Sequence, residues 1–284
     1  MKNAVLVTRT RRKLSGPIPR SLIRAAKELD CYVGFIDDDV SQFDNVVVFT
    51  NNLDEIPEMK TSANIGWWMC DLRDPDRFET PKTPLSAVFL CNTGKLSAFA
   101  DHFNTEAFYM PRCGPDQTFP FGRHIEWDSV FIGNVSASQY HSNRPEIVQA
   151  MEQHRDMKLI CGNQYTRDQT WIYNQTPVSL AVSMPVEGYT SNRLYNILAS
   201  EGLCLTLYYP GIEKLFENKK HLVWFHDKDE ALALAKYYIE HKEERDEIAR
   251  QGKILYDTKH TAKHRLQNML DILSGETKSF NGFL

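Results

Sequence analysis

The stretch Ser191-Asn192-Arg193-Leu194-Tyr195-Asn196-Ile197-Leu198-Ala199-Ser200-Glu201-Gly202 runs directly into the apolar segment Leu203-Cys204-Leu205-Thr206-Leu207. Leu194, Ile197 and Leu198 fall at i, i+3 and i+4, the spacing of a short helix that buries one stripe. Gly202 stops that helix, and the run after it is a buried strand. Ser191, Asn192 and Arg193 are thereby left at the helix N-terminus, where free backbone N–H groups carry partial positive charge. An arginine there adds a forked donor suited to phosphate, so the unit reads as a seat for a diphosphate. The competing reading is a solvated charge in the first turn of an ordinary helix.

Outward from this unit, short apolar runs alternate with helix-like segments, the pattern of parallel sheets in an α/β fold. In the first part the expected strands are Ala4 to Thr8, Tyr32 to Ile36, Asn45 to Thr50, Ile65 to Cys70, Ala87 to Cys91 and Ala107 to Met110, with a helix from Pro19 to Leu29. Links between the later strands are too short for full crossover helices, so this half is expected to be reduced. Residues Pro111 to Gly122 are dense in Pro and Gly without periodicity and read as a linker. A second series begins at Ser129 to Asn134. It continues with a helix from Arg144 to Gln153 and strands from Lys158 to Cys161, Val178 to Ser183 and His221 to Phe225.

The end is helical. Asp227 and Glu230 form a capping pair ahead of Ala231 to His241, and Leu266, Met269, Leu270 and Leu273 make an apolar stripe after a Thr261 cap. The spacing gives an N-terminal domain 1–115, a linker 116–128, a C-terminal domain 129–273 and a tail 274–284 with Phe280, Phe283 and Leu284 available for docking.

The chain has 284 residues, 42% hydrophobic and 25% charged, with a formal net charge of −4. That balance argues against non-specific coating of nucleic acid, while leaving room for a local basic patch. The cysteines Cys31, Cys70, Cys91, Cys113, Cys161 and Cys204 show no C-x-x-C or paired spacing. All but Cys113 lie in or beside apolar runs, as reduced core residues do. The chain starts straight into a strand and has no apolar run of membrane-spanning length, so a cytoplasmic protein without a membrane span is expected.

The segments Tyr109 to Asp116, Asp128 to Asn134, Arg193 to Gly202, Pro210 to Phe216 and His260 to Arg265, taken in order, resemble those of GT-B glycosyltransferases, in particular a CgeB-like branch. Tyr109 to Asp116 is similar to the "yLPxgxD" that closes the N-terminal domain of that superfamily, and Asp128 to Asn134 to the "DvsFvGn" that opens the C-terminal one. Arg193 to Gly202 is similar to "RxfEalAcG", Pro210 to Phe216 to "pGieelf", and His260 to Arg265 to the final "HTyxxR".

The resemblance implies a GT-B fold of two Rossmann-like domains. It also implies transfer of a hexose from a nucleotide diphosphate sugar, UDP-linked, held by the C-terminal domain in a cleft between the domains. Carried over by position, Arg193, Ser191 and Asn192 hold the diphosphate, with Arg193 also catalytic. Gly133 and Asn134 line the cleft, and Gly162, Asn163, Gln164 and Tyr165 lie near the base. The family's acidic residue of "RxfEalAcG" is Asn196 here, which hydrogen-bonds without charge; Glu187 is the better candidate for a ribose or sugar hydroxyl.

Ile65 to Cys70 ends in Trp67, Trp68 and then Asp71 and Arg73 at a strand's C-terminal end, where ligands of open α/β sheets bind. Asp71 is the candidate general base, with Trp68 and Arg73 on the acceptor. The alternative is that Asp71 caps a turn and pairs with Arg73 while both Trp sit in the core. Arg9, Arg11, Arg12 and Lys13, after the first strand, suit an anionic acceptor such as modified DNA or a polyanionic glycan, or form a solvated charge run. Asp37, Asp38 and Asp39 read as solvent-exposed strand-end residues. His102, His124, His221, His260 and His264 read as surface or satisfied residues, with His260 inside a family-like motif. No set has metal-ligand spacing. Neither a metal nor a cofactor is expected beyond the nucleotide sugar as co-substrate. Two rival readings stand beside transfer: a non-catalytic nucleotide or nucleic-acid binding protein on the same fold, and a nucleotide-sugar epimerase.

Overall fold

The computed structural model describes residues 1–7, 17–115, 127–135, 143–154, 159–162 and 169–284. They form two compact units, 1–113 with 262–283, and 114–261 with Leu284.

In the first unit, β1 (Asn3–Leu6), β2 (Tyr32–Gly34), β3 (Asn45–Phe49), β4 (Asn64–Met69), β5 (Ala87–Leu90) and β6 (Glu106–Tyr109) make one parallel sheet in the order β2-β1-β3-β4-β5-β6. Helix α1 (Pro17–Glu28) crosses from β1 to β2, and α2 (Leu96–Phe103) from β5 to β6. As expected from their short links, β3, β4 and β5 are joined without full helices; 3₁₀ turns at Leu53–Glu55 and Pro75–Arg77 stand in their place. Both faces of a parallel sheet are covered, so its strands are continuously apolar. Trp67 packs against Phe78, Phe99 and Phe103 with ring centroids 5.2, 6.2 and 5.8 Å away. On the other face Trp68 meets Phe49 at 5.2 Å, and Gly66 leaves room for Leu273. Each buried indole removes on the order of 200 Å² from water, roughly 5 kcal/mol of gross hydrophobic stabilisation.

The second unit carries β7 (Ser129–Ile132), β8 (Leu159–Gly162), β9 (Val178–Ala181), β10 (Cys204–Leu207) and β11 (Val223–Phe225), parallel in the order β11-β10-β9-β7-β8. Its helices are α3 (Arg144–Gln153), α4 (Gln169–Gln175), α5 (Asn192–Ala199), α6 (Lys228–Glu240) and α7 (Lys242–Leu255). The opening unit of the sequence is α5 and β10, and every α5 residue from Leu194 to Ala199 is buried. Asp227 caps α6 through Oδ1, which accepts from the N–H groups of Asp229 and Glu230 at 3.0 and 2.9 Å. Glu230 reaches back to the N–H of His226 at 2.8 Å, one residue beyond a standard capping box.

Three features depart from the sequence expectation. Helices α2 and α4 are short, eight and seven residues, and Lys95 at the α2 N-cap position gives no side-chain cap, so neither helix is easily legible. Residues 262–273 were expected in the C-terminal domain, yet helix α8 (Ala262–Leu273) packs against α1, β3 and β4 of the first unit. The fastening is Arg265, 1% exposed, whose Nε donates to the carbonyls of Pro111 and Arg112 at 3.1 and 3.3 Å, with its guanidinium 4.9 Å from the Phe280 ring. Two of the family-like sequences, one after β6 and one opening α8, therefore meet as a structural clasp. The tail continues it, with Phe280 and Phe283 against the Tyr109 ring at 5.4 and 5.8 Å. Among the described residues no helix is long and apolar enough to cross a membrane.

Candidate functional site

The C-terminal ends of β7 and β9 and the N-terminus of α5 meet in the second unit. Arg193, in the first turn of α5, donates from Nε to the carbonyl of Ile132 at 2.8 Å and from Nη1 to that of Val182 at 3.4 Å. Its guanidinium lies 4.4 Å from the centroid of Phe131. Arg144, at the start of α3, donates from Nε to the same Val182 carbonyl at 3.0 Å and from Nη1 to that of Asn134 at 3.0 Å. Its guanidinium is 5.6 Å from the Phe131 ring. Two cations thus share one carbonyl and one aromatic ring at a sheet edge where α/β folds bind ligands.

Polar groups around this pair await partners. The Oγ atoms of Ser183, just after β9, and Ser191, the N-cap of α5, are buried without a hydrogen bond. Ser191 has extended backbone (φ −71°, ψ 153°) and leads directly into the first turn of α5, the positive end of the helix dipole. Gly133 completes the floor: a Cβ there would stand 2.2 Å from Arg193 Nη2. Two cations, two hydroxyls and a helix N-terminus are the kinds of group that bind anions, and here they lie together.

The other donor-side residues divide. Asn134 is exposed and holds Arg144 through its carbonyl; Asn192 is half-buried beside Arg193. Gly162 ends β8, while Asn163, Gln164 and Tyr165 lie outside the described residues. Glu187 is exposed in the loop before α5, and that loop is tied down by the Gly188 N–H donating to the Pro210 carbonyl at 2.8 Å. Asn196 is 4% exposed in the helix interior and its Oδ1 has no partner. Arg144, Ser183 and Phe131 escaped the sequence reading. A signal existed: a cation at the first position of a helix opposes the dipole, and Asn143-Arg144-Pro145 places one there.

In the first unit Asp71 follows β4. Its Oδ2 is 3.1 Å from Arg73 Nε and its Oδ1 accepts from the Leu72 N–H at 2.8 Å, so it caps the turn and pairs with Arg73. Arg73 also donates to the Asn51 carbonyl at 3.0 Å. Both side chains remain partly exposed. Trp68 was expected on the acceptor; it is instead fully buried, its Nε1 donating to the Met110 carbonyl at 3.2 Å, because the sheet is covered on both faces. Arg9, Arg11, Arg12 and Lys13 fall outside the described residues, as does His124. Asp37 and Asp39 are exposed, whereas Asp38 is half-buried and holds the Phe35 N–H at 2.9 Å. Cys31, Cys70, Cys91, Cys113 and Cys204 are buried, as core cysteines are. Among the described residues no three His, Cys, Asp or Glu side chains group as a metal site.

Two Rossmann-like units with parallel sheets and a helical C-terminus define the class: the chain has the GT-B fold of glycosyltransferases. Residues 144–271, which include α3, α5 and the Arg265 clasp, match the family model described as glycosyl transferase-like. No curated protein matches the sequence significantly. Among solved structures, Anabaena HepE in complex with UDP and glucose superposes with a TM-score of 0.65 at 10% identity, covering 97% of this chain and 100% of that one. A DNA-modifying beta-glucosyltransferase, studied with and without uridine diphosphoglucose, gives 0.64 at 11% identity over 96% and 99%. An alpha1,3-fucosyltransferase with GDP-fucose gives 0.57 at 11% identity over 99% and 94%.

Proposed function

We propose that this protein is a glycosyltransferase that moves a hexose from a nucleoside diphosphate sugar, uridine-linked, to a hydroxyl acceptor. The observation that carries the reading is the Arg144–Arg193 pair on Phe131 and the Val182 carbonyl, with Ser183 and Ser191 hydroxyls and the α5 N-terminus beside it. In group transfer, negative charge builds on the departing diphosphate. Fixed cations and helix N–H groups that need no reorganisation stabilise that charge. Arg193 and Arg144 are held by carbonyls and ring before any ligand arrives, which is the preorganisation the reaction needs. On this reading the transfer proceeds without a metal, Glu187 and Asn134 serve donor hydroxyls, and Asp71 with Arg73 serves the acceptor. UDP-sugar complexes among the fold relatives support the uridine-linked donor, and the DNA-modifying relative keeps an anionic acceptor in view.

The test is a thermal-shift screen of nucleotide sugars followed by acceptor-free hydrolysis of those that bind, with and without a chelator. A UDP-sugar should raise the melting temperature, because a ligand of the native state stabilises it, and should be slowly hydrolysed. Binding with no turnover under any condition would instead favour a non-catalytic nucleotide-binding protein. That rival has one observation behind it: Asn196, buried and uncharged, stands where the family places an acid.

A further inference from the structure

Asn92, the second residue after β5, is fully buried, and neither its Nδ2 nor its Oδ1 has a hydrogen-bond partner. Thr93 beside it buries Oγ1 in the same state. Buried amides and hydroxyls without partners cost stability, on the order of 1–3 kcal/mol each, and folded proteins retain few of them without a reason. Here three such atoms lie on consecutive residues at the C-terminal edge of a parallel sheet.

Their neighbourhood is fixed by contacts on either side. Before them, Cys91 Sγ donates to the Asp71 carbonyl at 3.7 Å. After them, Lys95 Nζ donates to the Leu72 carbonyl at 2.6 Å and pairs with Asp74 at 2.7 Å. Asn92 and Thr93 are thus bracketed against the Asp71–Leu72 segment, next to the Asp71–Arg73 pair. The loop opens to solvent at Gly94, which is exposed and would have no atom within 4 Å of an added Cβ.

We propose that Asn92 and Thr93 form the hydroxyl-recognition wall of an acceptor site in the first unit, and that its ligand is a neutral sugar. The chemistry selects that class. An amide offers both donors and acceptors, and a threonine hydroxyl does the same, which complements adjacent sugar hydroxyls that also donate and accept. Arg73 is paired with Asp71 and Lys95 with Asp74, so neither of these two cations offers an unpaired charge to a phosphate. The proposal deepens the transferase reading by naming the acceptor, yet its test needs neither donor nor turnover.

Titration of the ¹⁵N-labelled chain with methyl glucoside, methyl galactoside and methyl mannoside, at millimolar concentration and without nucleotide, reads the Asn92 side-chain amide directly. That resonance pair is assigned by its loss in Asn92→Leu. At least one glycoside should move it, and Thr93→Val should weaken that binding by about tenfold, the scale of one lost buried hydrogen bond. Asn92→Leu should melt no lower than the parent, since it removes an unsatisfied buried group. A lower melting temperature in Asn92→Leu would mark Asn92 as a structural residue completed by internal water and overturn the proposal. So would an amide pair unmoved by every glycoside, or one moved only by a deoxynucleoside, which would mark a nucleic-acid edge. None of these failures touches the diphosphate seat, which the nucleotide screen tests on its own.

Discussion

Arg144 and Arg193 donate to one carbonyl oxygen, that of Val182, at 3.0 and 3.4 Å, with their guanidinium groups 5.6 and 4.4 Å from the Phe131 ring. Two guanidinium groups fixed this close together are the forked donors that a diphosphate, as proposed above, would use. The two arginines are not equivalent. Arg193 is half-buried on a helix N-terminus, whereas Arg144 is 5% exposed and ties β7 and β9 to α3. Arg193→Ala should therefore weaken UDP binding by about 10–100-fold, the scale of a lost charged hydrogen bond, and leave the fold largely intact. Arg144→Ala should lose binding and also about 2 kcal/mol of stability. Calorimetric titration with UDP and urea unfolding of both variants separate the roles. Unchanged UDP affinity in Arg193→Ala would sink the diphosphate seat.

Gly133→Ala tests the same seat without removing a charge. The new methyl would stand 2.2 Å from Arg193 Nη2, and the guanidinium must move away from its carbonyls to admit it. The side chain can yield, but Gly133 has φ +157°, a conformation that a residue with a Cβ rarely adopts, so the melting temperature should fall as well. UDP affinity should fall by about tenfold or more, because positioning rather than charge is lost. Equal affinity for parent and variant would show that the position of Arg193 is immaterial.

The Arg265 clasp makes a prediction about stability alone. Its guanidinium is buried with two backbone carbonyls as acceptors and Phe280 on its face. Arg265→Met keeps much of the volume but leaves the Pro111 and Arg112 carbonyls without this donor, at a cost of about 2–3 kcal/mol. Thermal unfolding should show that loss while UDP affinity is retained. A variant with native stability would reduce the clasp to an incidental contact.

The fold was legible because its signal is local. The i, i+3, i+4 stripe of α5, the apolar run of β10 and the Asp227–Glu230 cap each reside in adjacent residues, and each stands in the structure where the sequence points. What stayed hidden depends on contacts between distant residues. Arg144 meets Arg193 only because β7 and β9 are neighbours in the sheet, a pairing that sequence spacing does not encode. Trp68 looks like a strand-end aromatic until α8, almost two hundred residues later, covers its face. Helix α8 itself has a clean stripe, but a stripe names no partner, and its place in the first unit appears only in its packing on α1, β3 and β4. Asn92 gives no sequence signal at all; only the absence of partners around its buried amide marks it.

The last prediction concerns pH. His221 is 6% exposed, and its Nδ1 accepts from the Glu217 N–H at 3.0 Å, a bond that requires the neutral ring. Burial lowers its pKa below the ordinary 6.5, against the pull of the Glu217 carboxylate and with help from Lys220 and Lys259. His264 is lowered in the same direction by burial and by Arg265 and Lys263. The unfolded chain protonates these rings near their ordinary value while the native state does not. Between the two values the unfolded state therefore binds more protons, and stability rises with pH. The contribution is fully present above 6.5 and is lost as pH falls below it toward the native values. Melting temperature should accordingly drop between about pH 7.5 and pH 5.5. His221→Asn, whose Oδ1 still accepts a hydrogen bond but cannot titrate, should drop less, the remainder coming from His264 and other groups. Parallel pH profiles for the parent and His221→Asn would show that a neutral His221 is not what the native state requires.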